Sequence, residues 1–313
     1  MSLTKKIDFA LILKVTNANP NGDPLNGNRP RADFQGFGEM TDVCLKRKIR
    51  DRLQDGFQLL NEENRPEGDI IKENIFVQSN EKKTDGMKSL KQRAEDIQYG
   101  LGKAAFANNA DKQDTAKKAC NKWIDVRSFG QVFAFGKSDE GAGVSIAIRG
   151  PVTIQSAFSV EPVNITSTQI TKSVNGDGDS DVKKSSDTMG MKHRVDNGVY
   201  VAFGAMSPQL AERTGFSDDD AEKIKAVLTK LFEGDASSAR PEGSMQVLKL
   251  IWWKHNSKAG QYSSAKVHGK LREIIEERIK NKSIDGLIED ITEEKLTVKE
   301  SEETLKPEIL DGF

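Results

Sequence analysis

Ile7, Phe9, Leu11, Leu13 and Val15 alternate near the start of the chain, and Ala10 and Ile12 between them are apolar too. A period of two with both faces apolar predicts a central strand covered on both sides. Asn, Gly and Pro then crowd residues 17–33 (NANPNGDPLNGNRPRAD), which reads as a loop. Leu45, Ile49, Leu53 and Phe57 recur at helical spacing, predicting a helix from Thr41 as N-cap to about Leu60. Residues 62–78 read as a connector with a short strand at IIKENIFV. Residues 80–122 are Lys-, Ala- and Asn-rich and read as helical, so 62–122 is predicted as a mostly helical insertion. WIDVRSFGQVFAFG (123–136) and VSIAIRG (144–150) read as strands around the turn KSDEGAG. PVTIQSAFSV (151–160) and GVYVAFGAM (198–206) read as two more. Ser217 caps a helix with an apolar stripe of Ala221, Ile224, Val227, Leu228 and Leu231, closed by Gly234. Strand QVLKLIWW (246–253) and a basic helix over 265–281 follow. This order predicts an α+β fold, a ferredoxin-like βαββαβ core with large insertions.

Between the strands at 151–160 and 198–206 lie 37 residues, 161–197, where a hairpin needs two to five. The stretch is polar and too long for an ordinary loop in a compact domain. It carries Lys172, Lys183, Lys184, Lys192, His193 and Arg194, many hydroxyls and amides, and Met189 and Met191. A projecting finger with hydrogen-bond donors and flexible apolar tips suits a long, anionic, stackable ligand. A solvated, disordered excursion has the same composition.

Charged residues make up 30% of the chain and hydrophobic ones 36%, and the longest apolar runs, FALIL and VFAF, are too short to span a bilayer. No membrane association and no signal peptide are expected. Two cysteines, Cys44 and Cys120, fit a reducing cytosol, so a cytoplasmic location is expected. Net charge is only −1, but Ser283–Phe313 holds ten acidic residues against three lysines, an acidic C-terminal tail that leaves the remainder basic. Three histidines without HxH or HExxH spacing, and no CxxC, give no metal site; GxSxG, P-loop and dinucleotide fingerprints are missing, and no cofactor is expected. Asp23 and Asp33 are the only acids placed for catalysis near candidate phosphates.

The first helix is the most informative basic element. Lys46 falls about 40° from the centre of its apolar stripe, with Arg50 one turn further along the same edge and Lys48 and Arg52 flanking the other. A lysine so near a buried face pairs with an anion or snorkels. Asn28, Arg29 and Arg31 lie just upstream, so loop and helix together are placed to track a phosphate backbone; a surface helix with solvated basic edges reads equally well. Arg127-Ser128-Phe129-Gly130-Gln131-Val132-Phe133-Ala134 partly matches the RNA-binding octapeptide of RRM domains. Arg127, Phe129, Gly130 and Val132 fit the pattern; Ser128, Gln131 and Ala134 do not.

Several ordered segments, NANPNGDPLNGNRPR, TDVCLKRKIRD, DVRSFG, RGPVTIQSAFSVEPV, TMGMKHRVDNGVYVAFG and LAERTGFSDDD, resemble the backbone subunit of type I-C CRISPR surveillance (Cascade) complexes, the Csd-type branch of the Cas-seven superfamily. The resemblance runs over about residues 5 to 255. It implies an RRM-like palm with a protruding β-hairpin thumb, copies stacked in a helical filament along guide RNA (crRNA), and contact with the guide–target DNA hybrid. End-capping, large and small subunits are the other partners it implies. By motif position, Lys46, Arg47 and Arg50 become palm contacts to phosphate, and Asn19, Asn21, Asn28, Arg29 and Arg31 loop contacts. Arg127, Ser128 and Phe129 join them, with Gln169, Lys172, Met189, Met191, Lys192, His193 and Arg194 on the thumb. Such type I subunits bind without cutting. Type III relatives cut RNA with a loop aspartate, which makes Asp33 the enzyme alternative.

Overall fold

The computed structural model describes residues 1–135, 145–171, 189–280, 286–300 and 303–313. The alternating segment at the start forms β1 (Ile7–Ala18), and its neighbours in the chain follow as β2 (Phe37–Met40) and α1 (Asp42–Asp55). Then come β3 (Val152–Ile154), β4 (Ala157–Pro162), β5 (Ile165–Thr171) and β6 (Met189–Met206). The remaining principal elements are α2 (Asp218–Thr229), β7 (Met245–Lys254), α3 (Ser264–Lys280) and β8 (Glu308–Asp311).

The eight strands form one antiparallel sheet in the order β8–β7–β1–β6–β4–β2, with β3 and β5 also paired to β6. β1 is central because its pleat sends apolar side chains both ways. Phe9, Leu11 and Leu13 meet Leu45, Ile49 and Leu53 of α1 and Ile224, Val227 and Leu228 of α2. Ala10 and Ile12 meet Val267, Leu271 and Ile274 of α3 on the opposite face. The fold is therefore mixed α+β around a central antiparallel sheet.

The acidic segment after α3 is not a loose tail. Leu287, Ile291, Leu296, Val298 and Leu305 pack on the α3 face, and β8 forms the sheet edge beside β7. Among the described residues most of its charges are exposed while a sparse apolar stripe anchors it, which net composition does not reveal.

Five sequence expectations need correction. α1 stops at Asp55, because Gly56 adopts φ 118°, and Phe57–Leu60 leaves as a strand paired with Pro66–Ile71. That second strand lies upstream of most of IIKENIFV. Ile124–Phe129 is a helix, not a strand; only Gly130–Ala134 is extended, paired with Ser145–Arg149. Its first turn is tied down by Asp125, whose carboxylate accepts the Phe76 and Val77 amides at 2.8 and 3.0 Å. α2 ends at Thr229, one turn before Gly234. Within 80–122 the helices are short, Leu90–Glu95, Lys103–Phe106 and Lys112–Lys122, and this stretch joins Trp123, Phe133 and Ile146 in a satellite core. The turn KSDEGAG lies outside the described residues.

Candidate nucleic-acid interface

The Asn/Gly/Pro loop is clamped to the start of α1. Asn21 Oδ1 accepts from the Thr41 amide (2.9 Å) and hydroxyl (3.0 Å), and Thr41 Oγ1 accepts from the Cys44 amide (3.2 Å) as the expected N-cap. Asn19 Nδ2 donates to the Asn28 carbonyl at 2.7 Å, and Asn28 takes the left-handed conformation (φ 58°) that Asn tolerates. Gly22–Asp23 pairs with Arg29–Pro30, and the Arg31 guanidinium lies 3.3 Å from Asp23. Asn19 and Asn21 are thus spent largely on holding the loop, while Asn28 is exposed and Arg29 half-exposed.

Within the 161–197 stretch, β5 and the start of β6 pair antiparallel, with Ile165 opposite Val195 and Thr171 opposite Met189. Strand alternation divides its side chains between two faces. Gln169, Ser167, Met189, Met191 and His193 share one face; Thr168, Ile170, Lys192 and Arg194 share the other. Met189 and Met191 are exposed, and Gln169 Nε2 reaches the Met189 sulfur at 2.7 Å. Arg194 leans on Asp196 at 3.6 Å. Lys172 lies outside the described residues, as do Lys183 and Lys184.

Loop and hairpin meet through one hydroxyl. Arg29 donates to Ser167 Oγ at 2.9 Å, and His193 Nδ1 lies 2.9 Å from the same oxygen. Ser167 carries no sequence signal, because its partner is 138 residues away. Arg29 has no carboxylate partner among the described residues, so its charge is available to an anion.

The basic residues of α1 are less available than their spacing implied. Arg50 Nε lies 3.0 Å from the buried Asp125 carboxylate, with its guanidinium 5.1 Å from the Phe129 ring centroid. Lys48 pairs with Asp235, and Arg52 with Asp55; both cations are buried, contrary to a solvated opposite edge. Lys46 meets Asp42 at 2.8 Å and Arg47 meets Asp51 at 3.4 Å, both one turn away on the same helix. Burial pushes the Asp51 carboxyl above the usual range despite Arg47 and Lys82 nearby. Such intrahelical pairs are worth only about 0.3–0.5 kcal/mol, so a phosphate can displace those of Lys46 and Arg47.

The family model for CRISPR-associated protein Cas7 matches residues 5–298. The chain belongs to this family. A CRISPR-associated protein Cas7 of Haloferax volcanii is 26% identical over 258 residues, 76% of this chain and 67% of its own. Two solved chains were also compared, each with a TM-score of 0.44 and covering 88% of this chain. One, described as a CRISPR RNA-guided surveillance complex, pre-nicking, is 14% identical over 87% of its length. The other, a CRISPR RNA-guided surveillance complex, is 12% identical over 84%.

In this Cas7-family chain, two expected groups have internal duties. Arg127 binds Asp220 at 2.7 and 3.0 Å and stands 4.0 Å from Glu73. Although burial opposes it, the guanidinium holds the Asp220 carboxyl below the usual carboxylate range. Ser128 is fully buried, and Phe129 packs against the main core. The octapeptide match therefore spans a helix end and a strand start. Asp33 Oδ1 accepts the Gln35 and Phe37 amides at 2.9 Å each, closing a turn. Among the described residues no group of three or more His, Cys, Asp or Glu is gathered to hold a metal. Nor is any helix there long and apolar enough to cross a membrane.

Proposed function

We propose that the chain is a non-catalytic, guide-RNA-binding backbone subunit of a type I-C surveillance complex in the cytoplasm. Its palm is RRM-like: β1–α1–β4–β6–α2–β7 reads as βαββαβ, and those four strands lie in the order β7–β1–β6–β4, a reading supported by the observed pairing. The hairpin of β5 and the start of β6 is the thumb. Copies stack along the RNA, and sequence is read by pairing between guide and target DNA rather than by the protein. The other subunits of the complex bind at the filament ends and along its side. The observation that carries this reading is the Arg29–Ser167–His193 contact, which seats the Arg29 loop on the foot of the thumb. Lys46, Arg47 and Arg29 are the phosphate contacts of this proposal, with the Met189/Met191 face turned to bases. Arg50 and Arg127 support the fold.

The test is binding to single-stranded RNAs of several lengths, by anisotropy and ultracentrifugation, at about 50 and 200 mM salt. Affinity should fall by decades if six or more phosphates are engaged, and the oligomer should grow with RNA length. Salt-insensitive binding, or an oligomer of fixed size, overturns the proposal. Cleavage of complementary RNA that disappears in Asp33→Ala would establish the enzyme instead.

A further inference from the structure

We propose that Phe34 is a base-stacking residue, so that at the root of the hairpin the chain grips single-stranded RNA by a nucleobase as well as by phosphates. This deepens the RNA-binding reading above and rests on it.

Phe34 has a relative exposure of 111%, its ring wholly in water. It is nonetheless held firmly. Asp33 Oδ1 accepts the amides on either side of the turn, Gln35 and Phe37, and the Asp33 carbonyl accepts from Gly36 at 3.1 Å. The Asp33 amide donates to the Phe37 carbonyl at 2.9 Å. Gly36 takes φ 89°, which favours glycine, and its carbonyl accepts from the Val163 amide at 2.9 Å. The turn is thus fastened to the chain two residues before β5 begins. A ring carried on a fastened backbone has only its two side-chain torsions to lose when it is covered, which suits an anchor.

The surroundings select the partner. Arg29, without a carboxylate partner among the described residues, lies five positions upstream, so its Cα is at most about 18 Å from that of Phe34. An aromatic face and, within that reach, a guanidinium that no carboxylate neutralises are the two groups that single-stranded nucleic acids use, stacking on one and phosphate on the other. Asp33, the acid beside the ring, has Oδ1 engaged by two amides. Leu25 on the same loop is equally exposed but aliphatic, and so serves as a control that cannot stack.

The three native tryptophans, Trp123, Trp252 and Trp253, are all buried, so an indole at position 34 can be followed by its red-shifted, solvent-exposed emission. Full-length Phe34→Trp should bind a uridine-rich RNA of about 20 nucleotides like wild type and be quenched by it. An abasic oligomer of equal length, or polyphosphate, should leave that emission unchanged. Phe34→Ala should melt like wild type and lose roughly five- to hundredfold in RNA affinity with an unchanged salt slope. Leu25→Ala should bind as wild type. Equal quenching by the abasic strand, full affinity in Phe34→Ala, or quenching that appears on concentrating the protein without RNA (a contact between copies) each overturns the inference. If wild type itself fails to bind RNA, the proposed function falls with it; if wild type binds and Phe34→Ala matches it, only the stacking role falls.

Discussion

Arg50 and Arg29 are both arginines that sequence position marks as phosphate contacts, yet their surroundings differ, Arg50 meeting a buried carboxylate and Arg29 only an exposed hydroxyl, and replacing each with Ala separates them. Arg50 Nε meets an Asp125 carboxylate that is 1% exposed, 3.0 Å away. Removing one partner of a buried pair typically costs about 3–5 kcal/mol, because the other charge is stranded. Asp125 keeps its bonds from the Phe76 and Val77 amides, so the low end applies, about 3 kcal/mol. At roughly 2 °C per kcal/mol for a chain of this size, Arg50→Ala should melt about 6 °C below wild type. At temperatures where it stays folded, its RNA affinity and salt slope should be nearly unchanged. Arg29→Ala removes one hydrogen bond to an exposed serine, so its melting temperature should move by no more than about 1 °C, a few tenths of a kcal/mol. Its salt slope should instead fall by about one unit, the signature of one lost phosphate contact. Calorimetry and anisotropy titrations at three salt concentrations on both variants decide the matter. An Arg50→Ala protein that melts like wild type but loses a unit of salt slope would refute the internal pairing.

The hairpin, the thumb of the proposed function, can be removed where the register allows. Ile165 lies opposite Val195, and both contact the main core, so a two-residue Asn-Gly turn joining them should preserve cooperative melting while abolishing RNA-length-dependent assembly in ultracentrifugation. Gly130 takes φ 80°, and a Cβ there would lie 2.3 Å from the Ile148 carbonyl oxygen; Gly130→Ala should lose about 1–3 kcal/mol in chemical denaturation. His268 lies on the buried face of α3, 3.2 Å from the Gly204 carbonyl and 3.9 Å from Asp8, with Lys6 and Arg272 also facing it, and burial lowers its pKa below 6.5. The unfolded chain then binds the proton more readily, so this stability is complete above about pH 6.5 and lost as pH falls below it. The lowered Asp8, Asp85 and Asp220 carboxyls add acid sensitivity only below about 3.8, and Asp51, whose pKa is raised, opposes the trend above that pH. The melting temperature should therefore drop between pH 7.5 and 5.5, and His268→Gln should flatten that drop.

The amino-acid sequence by itself determined the elements whose periodicity is local. β1 was legible because Ile7 to Val15 alternate while both faces are apolar, and α2 because the Ser217–Asp220 cap and the Ile224–Val227–Leu228 stripe are local patterns. Length and polarity marked 161–197 as a projecting finger or a solvated excursion, its β-hairpin form came only from the family resemblance, and Thr41 was legible from its position before α1. Tertiary structure alone decided the fate of the charges. Nothing near Arg50 or Lys48 in the chain announces Asp125 or Asp235, 75 and 187 residues away, yet those carboxylates turn basic residues into parts of the core. It also decided that 124–129 coils, because Asp125 is needed by amides at 76 and 77 and Gly130 supplies a left-handed exit. The same holds for Ser167, an unremarkable hydroxyl until a cation 138 residues upstream is brought against it. Periodicity records which face of an element is buried, whereas a side chain's electrostatic partner depends on which distant element the fold sets against it.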